Sequence, residues 1–184
     1  MRYIKSIFFL AFAGLMASCN NEMNFGRPQY DEEANLERDR QLIAEYLESA
    51  PFDSLYRIHD ESGVVVIVQE EGSGSRPNLG NIVHTTYTGM LTDGSIFTTT
   101  DREVAEEHGL FVEGQYYGPT FFQLGDQGND RRVYGLWFGY RRMRSGAKGV
   151  IIVPSAHGNR NREDLERVPP NSILVYEVDF LGFD

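Results

Sequence analysis

Side chains suited to covalent or metal chemistry are few and widely spaced in this sequence. The four histidines, at positions 59, 84, 108 and 157, lack the i, i+4 pairing typical of a metal site. No Gly-x-Ser-x-Gly motif marks a hydrolase nucleophile, and the glycines of segment 71–77 are not followed by a helix or by a Lys-Ser/Thr pair that would hold phosphate. A single cysteine, Cys19, excludes an intramolecular disulfide framework and a multi-cysteine metal site. The sequence therefore predicts neither a metal nor another cofactor.

The charge balance excludes a second class of partner. The chain has 184 residues with a globular composition, and 17 Lys and Arg stand against 27 Asp and Glu, for a formal charge of −10. Binding to nucleic acid requires a basic surface that meets the phosphates. We therefore expect no nucleic-acid partner.

The first nineteen residues have the features of an export signal. Arg2 and Lys5 precede the apolar run 7–16, which is about the length of a signal-peptide core and short for a membrane span. The sequence Leu15-Met16-Ala17-Ser18-Cys19 then resembles a bacterial lipobox, in which the cysteine is lipidated and becomes the mature N-terminus. We interpret 1–18 as a lipoprotein signal peptide and 19–30 as the lipidated Cys19 with a flexible tether; an ordinary signal peptide with a coincidental cysteine is the alternative.

An amphipathic helix is predicted over 31–50, immediately before the main domain. Acidic residues fill its expected first turn, and Pro51 ends it. The apolar residues Leu36, Ile43 and Leu47 fall on one stripe, which is more typical of packing against the parent domain than of binding a partner.

The remaining residues, 51–184, alternate between strand and turn signals and predict one α+β domain with an antiparallel sheet. One helix, over 132–143, shows helical spacing of apolar residues and is expected to cover the sheet. Segment 101–119 is expected to be a polar excursion. The predicted strands cover 55–58, 64–68, 82–91, 96–100, 120–124, 148–154 and 172–181.

Five segments in chain order resemble the FKBP family of prolyl isomerases. They are Val83–Phe97, which looks like the family's central hairpin, Pro119–Gly125, Gly135–Lys148, Val168–Asn171 and Leu174–Val178. The likeness covers residues 54–182, and the acidic helix and lipobox are similar to those of envelope FKBP lipoproteins of Bacteroidetes type. The resemblance implies an FKBP-like curved antiparallel sheet wrapped around a short central helix, with an extra N-terminal helix.

The resemblance also implies an activity and a pocket. The family catalyses cis/trans isomerisation of X-Pro bonds in a shallow apolar pocket, with no covalent step. Matched position by position, the pocket residues are Tyr87, Phe97, Val168 and Tyr176. Val133 matches the position whose backbone amide holds the ligand carbonyl, and His157 is a candidate donor at the position of a loop tyrosine.

Several pocket positions depart from the family pattern. Thr98 stands where the family has an acid, and Thr120 replaces an aromatic residue. Leu136 stands at the position of the family's floor tryptophan, and Trp137 follows one place later. A register slip of one residue would rotate the helix by about 100° and partly restore a tryptophan floor. Lost aromatic contacts weaken peptide binding, so we retain Leu136, Trp137, Thr98 and Thr120 as pocket residues of less certain role.

Two functions therefore remain open from the sequence. The first is a prolyl isomerase that assists folding of exported proteins, with proline-containing segments as partners and a lipid anchor to a membrane at the periplasmic or outer-membrane face of a bacterial envelope. The second is a catalytically impaired FKBP-like lipoprotein that acts as a binding module or chaperone. A small-molecule-binding lipoprotein is a third alternative without specific support.

Overall fold

The computed structural model describes residues 30–125 and 131–184. The predicted signal peptide, the lipidation site Cys19 and the tether up to residue 29 lie outside the described residues. Among the described residues, no helix combines the length and apolarity needed to cross a bilayer.

The described elements follow the predicted order closely. Three α-helices occur in these residues: α1 (Glu32–Ser49), α2 (Arg102–Glu107) and α3 (Arg131–Tyr140). The strands are β1 (Tyr56–His59), β2 (Val65–Glu70), β3 (Ile82–Leu91), β4 (Ile96–Thr99), β5 (Thr120–Gln123), β6 (Lys148–Val153) and β7 (Leu174–Phe183). A 3-10 turn, Ser155–His157, follows β6.

All of these strands join one antiparallel sheet. Its order is β1-β2-β6-β7-β3-β4, and β5 pairs with the first half of β3, beside β4 on the same edge. The longest ladder joins β3 to β7 and runs from Val83 opposite Phe183 to Leu91 opposite Leu174. The predicted class, an α+β fold with an antiparallel sheet, is confirmed.

One face of the sheet packs on α3. Gly139 lets this helix approach β6, because a Cβ at that position would lie 2.6 Å from the side chain of Ile151. The next residue, the fully buried Tyr140, packs its ring edge-on against Phe122 and Phe180. Its hydroxyl shares a 2.7 Å hydrogen bond with Thr85 Oγ1, so the polar end of the ring is satisfied inside the core.

The opposite face of the sheet packs on α1. Ile43 is buried against alternate residues of the two strands that cross beneath the helix, and Tyr46 and Leu47 pack beside it. The strand residues in this outer layer are Val65 and Ile67 of β2, Val150 and Ile152 of β6, and Val175 of β7. The predicted packing of the helix stripe against the domain is therefore confirmed, and β2 and β6 are buried on both faces.

The largest differences between the predicted and the observed helices concern α2 and the end of α3. Helix α2 lies in the segment expected to be a polar excursion, because the Asp101 carboxylate caps it by accepting hydrogen bonds from the N–H groups of Glu103 and Val104. Helix α3 ends at Tyr140 rather than 143, since tighter i to i−3 hydrogen bonds to Gly139 and Tyr140 replace the helical pattern.

Tyr30 also departs from the prediction of a flexible tether. Its hydroxyl lies 3.0 Å from Ser155 Oγ, and the guanidinium of Arg160 lies over its ring. The docked part of the chain thus begins at least one residue before the α1 cap, Asp31.

The outer layer predicts a specific stability pattern. We expect Ile43→Ala to lower the free energy of unfolding by about 2–4 kcal/mol, because it leaves a cavity between α1 and the sheet. Leu42→Ala, at a neighbouring position that is 43% exposed, is the matched control and should change it by less than about 1 kcal/mol. Chemical denaturation of both variants measures the difference, and equal losses would contradict the assigned packing.

Candidate functional site

Three aromatic rings from three strands meet at one point of the sheet. Tyr176 of β7 lies between Tyr87 of β3 and Phe97 of β4, with ring centroids 5.9 Å and 5.7 Å apart and both pairs edge-to-face. Tyr176 is 2% exposed and Phe97 is 7% exposed, whereas Tyr87 is partly open to solvent. The cluster therefore has a buried base and one accessible wall.

Gly89 makes room for this cluster. It lies opposite Tyr176 in the β3–β7 ladder and opposite Thr98 in the β3–β4 ladder. A Cβ at this position would lie 2.9 Å from both Phe97 Cζ and Tyr176 Cε1 and 2.7 Å from Thr98 Cγ2. Thr98, the position where the resemblance expects an acid, thus presents a methyl group beside the rings rather than a charge.

Helix α3 contributes two further predicted residues to the same apolar cluster. Leu136 and Trp137 are both buried in the core that contains the three rings. The Trp137 ring packs edge-on against Tyr134 at 4.6 Å, and its Nε1 is buried without a hydrogen-bond partner among the described residues. The helix therefore places both candidate floor residues in the core, and only Trp137 brings a polar atom with it.

The loop before β7 brings the last predicted wall residue to this core. Val168 is buried and belongs to the cluster of Tyr176 and Leu136. Val133 is the third residue of α3, and its backbone lies in the first turn of that helix. Thr120 begins the edge strand β5, where it is half-buried and lies opposite Thr85.

The structure packs His157 against α3 and does not direct it as a hydrogen-bond donor toward a substrate. Its ring is 8% exposed and lies 4.9 Å from Phe138 and 5.7 Å from Tyr134. Its Nε2 lies 3.0 Å from the carbonyl oxygen of Ser62, which can only accept, so Nε2 carries the proton and donates it. This N–H is thus committed to the β1–β2 turn and not to a substrate carbonyl.

Burial also controls the protonation of this histidine. Desolvation lowers the pKa of His157 below its ordinary value and outweighs the Ser62 hydrogen bond, which acts in the opposite direction. The imidazole is therefore neutral at pH 7, and Nδ1 is buried without a hydrogen-bond partner among the described residues.

Sequence reasoning missed two aromatic residues that connect these groups. Tyr134 packs against both Trp137 and His157, and Phe138 packs against Tyr134 and His157. The i, i+3, i+4 spacing of Tyr134, Trp137 and Phe138 on α3 was the available signal. Together the site is an aromatic, largely apolar surface suited to noncovalent binding of a ring or an aliphatic group.

Comparison with known proteins gives a family for this arrangement. The family model described as FKBP-type peptidyl-prolyl cis-trans isomerase matches residues 74–181, which include the three rings and all of α3.

Individual relatives point the same way. The chain is 31% identical over 123 residues to a probable FKBP-type 25 kDa peptidyl-prolyl cis-trans isomerase of Pseudomonas aeruginosa, covering 66% of this chain and 44% of that protein. It is 30% identical to the FKBP-type isomerase FkpA of Aeromonas hydrophila, covering 67% and 39%. The chain thus spans less than half the length of these two relatives. Among solved structures, a peptidyl-prolyl cis-trans isomerase from Pseudomonas syringae has the same fold, with a TM-score of 0.58, 22% identity and coverage of 86% and 99%.

The neutral, buried His157 predicts a pH dependence of stability. As pH falls below about 6.5, the unfolded chain binds a proton at this residue before the folded protein does, so stability is lost. We expect the unfolding free energy of the parent protein to decline relative to His157→Gln between pH 8 and pH 5, by at most about 1.4 kcal/mol per pH unit. Urea titrations at several pH values measure this.

A second histidine supplies the control for that measurement. His108 is exposed, so His108→Gln removes a histidine without opening a cavity, and its profile is recorded beside that of His157→Gln. Parallel profiles for the parent and His157→Gln would show that the buried ring does not exclude the proton.

Proposed function

We propose that this chain, which belongs to the FKBP-type peptidyl-prolyl cis-trans isomerase family, accelerates the cis/trans isomerisation of X-Pro bonds in polypeptides. The observation that carries the proposal is the three-ring cluster of Tyr87, Phe97 and Tyr176, assembled over Gly89. These side chains occupy the positions that the family resemblance assigned to the pocket.

The reaction suits a site without a nucleophile. Rotation about a peptide bond has a barrier of roughly 18–20 kcal/mol because resonance keeps the amide planar, and X-Pro bonds rotate uncatalysed in tens to hundreds of seconds. An apolar, aromatic environment disfavours the charge-separated planar amide relative to the twisted one, which has less charge separation. Tyr176 and Phe97 provide such an environment, and the partly exposed Tyr87 forms the wall by which a proline ring enters.

The start of α3 supplies a backbone donor for the substrate carbonyl. The first four N–H groups of an α-helix have no acceptor within the helix. Val133, as the third residue of α3, carries one of them. We propose that this N–H binds the carbonyl oxygen of the residue before proline, a role that side-chain substitutions such as Thr98 leave intact.

The proposed setting is the bacterial cell envelope, with exported polypeptides as substrates. Support comes from the signal-like apolar run 7–16 and from the lipobox-like sequence that ends at Cys19. A multiply acylated cysteine anchors a protein stably, since each buried methylene adds about 0.8 kcal/mol. The strongly acidic polypeptide would not itself adhere to an anionic leaflet.

The isomerase proposal is tested with the purified full-length chain and short X-Pro peptides. We expect acceleration by the parent protein and a fall in kcat/KM of about tenfold or more in Tyr87→Ala, because the variant loses an aromatic wall worth about 1.4 kcal/mol or more. Exchange-detected NMR of the peptide gives the rate without a coupled protease.

Phe121→Ala is the matched control, since this ring is 71% exposed on the edge strand β5. It should retain the parental kcat/KM. A folded parent protein without acceleration would refute the isomerase proposal and favour a binding module, whereas equal losses in both variants would refute the assigned pocket.

The anchoring proposal has its own test in cells. We expect Cys19→Ser to move most of the protein from the membrane pellet to the soluble fraction, because the thiol that accepts the lipid is gone. Fractionation with a salt wash measures the distribution. A variant that still sediments quantitatively with membranes would show that lipid on Cys19 is not the anchor.

A further inference from the structure

The first half of α1 holds a buried carboxylate that packing of the helix does not require. Asp39 is 0% exposed, on a helix whose other acidic residues face solvent. Its Oδ2 accepts hydrogen bonds from the backbone N–H of Ser155 at 2.7 Å and from the Ser155 hydroxyl at 2.6 Å. Its Oδ1 accepts from Arg38 Nε at 2.9 Å. A buried carboxylate is costly unless it is paired and hydrogen-bonded. Here Arg38 on the same helix supplies the charge, and Ser155 in the turn after β6 supplies two further hydrogen bonds.

Arg38 extends this contact to a second loop. Its Nη2 donates to Ser155 Oγ and to the carbonyl oxygen of Asn171, each at 3.2 Å. The pair Arg38 and Asp39, which we call the α1 clamp, therefore contacts both the segment 155–160 and the loop 168–172. The two loops lie 116 and 133 residues from the clamp along the chain.

The two loops also depend on each other and hold unfavourable backbone conformations. The side-chain amide of Asn159 donates to the Pro169 carbonyl at 2.6 Å, and the Asn171 N–H donates to the Arg160 carbonyl at 2.6 Å. Arg160 and Asn171 have φ values of 52° and 60°, the left-handed region that side chains other than glycine adopt at a cost. Contacts that hold the two loops in place offset this cost.

Both loops carry residues of the pocket side of the domain. Segment 155–160 includes His157, whose ring packs on Tyr134 and Phe138 of α3. Loop 168–172 begins with Val168, which is buried in the cluster of Tyr176. A shift of either loop therefore changes the surface that a peptide would meet.

We infer that Asp39, acting with Arg38, is a positioning residue for substrate binding: the α1 clamp fixes the two loops beside the pocket from outside the catalytic domain. This inference rests on the proposed isomerase function, which it deepens. It makes α1 part of the working enzyme, although α1 precedes the segment 74–181 that matches the family model. Asp39 touches no reacting atom, so its effect should appear in peptide binding.

The test compares full-length Asp39→Asn with the parent protein. The amide keeps one acceptor oxygen but loses the charge that holds Arg38, so we expect KM for an X-Pro peptide to rise about threefold to tenfold while kcat stays within about twofold. Amide hydrogen exchange should accelerate at Ser155 and Asn171 and remain unchanged in the β3–β7 ladder. Unchanged KM and unchanged exchange would overturn the inference.

Matched variants separate positioning from general destabilisation. Glu37→Gln removes one exposed acid from the same helix and should leave KM at the parental value. Ile43→Ala weakens the packing of α1 on the outer face of the sheet and leaves Arg38 and Asp39 in place. It should lower stability with a smaller change in KM than Asp39→Asn. A KM that follows stability across these variants would overturn the inference.

Two further outcomes are also decisive. If Asp39→Asn does not fold, Ser155→Ala removes one hydrogen bond of the clamp and should shift KM and exchange in the same direction by a smaller factor; parental values would again overturn the inference. If the parent protein shows no acceleration, the proposed function fails on its own. The clamp is then judged by exchange at Ser155 and by peptide titration, which must still differ between the parent protein and Asp39→Asn.

Discussion

The β3–β7 ladder is the constraint on which the other features of this molecule depend. It joins a strand from the first half of the domain to the last strand of the chain, and its register fixes Gly89 opposite Tyr176. A shift of one residue would send the side chains of β7 to the opposite faces of the sheet. Tyr176 would then leave the core, Phe97 would lose its ring partner, and the outer layer under α1 would lose Val175.

Both faces of the sheet are covered, and helices α3 and α1 pack on opposite faces. Helix α3 packs on the face that carries the rings, where Gly139 permits close approach to β6. Helix α1 packs on the other face. Its residues Arg38 and Asp39 also contact the loops after β6 and before β7, on the pocket side. The domain is thus packed from the side opposite its candidate site, and Asp39 is the residue by which α1 contacts the segment after β6.

The sequence predicted the features that depend on local patterns. Alternation placed Tyr176 on β7, the Asp-Gly turn placed Phe97 on the strand after Tyr87, and the apolar stripe placed Ile43 against the domain. It did not predict helix α2, because the tendency of Asp101 to cap a helix competes with the polar composition of that segment. It also missed the burial of Asp39, although this residue lies three positions after Leu36 and four before Ile43, on the stripe that became buried. A carboxylate there looks like one more charge on a charged helix, and only the tertiary contact with Ser155 explains its burial. His157 shows the same limit, since its Ser62 partner lies in a turn 95 residues away.

The position of Trp137 gives the protein a built-in optical reporter. It is the single tryptophan of the chain, and it is buried in the apolar cluster that also contains Tyr176 and Val168. Indole emission shifts to longer wavelength when water or a polar group reaches the ring. The tryptophan fluorescence of the protein therefore describes the environment of this one cluster. Without any label, a change in the wavelength or intensity of that emission therefore separates events at the site from those at the outer layer, where Tyr46 of α1 packs against Phe52 and no indole is present.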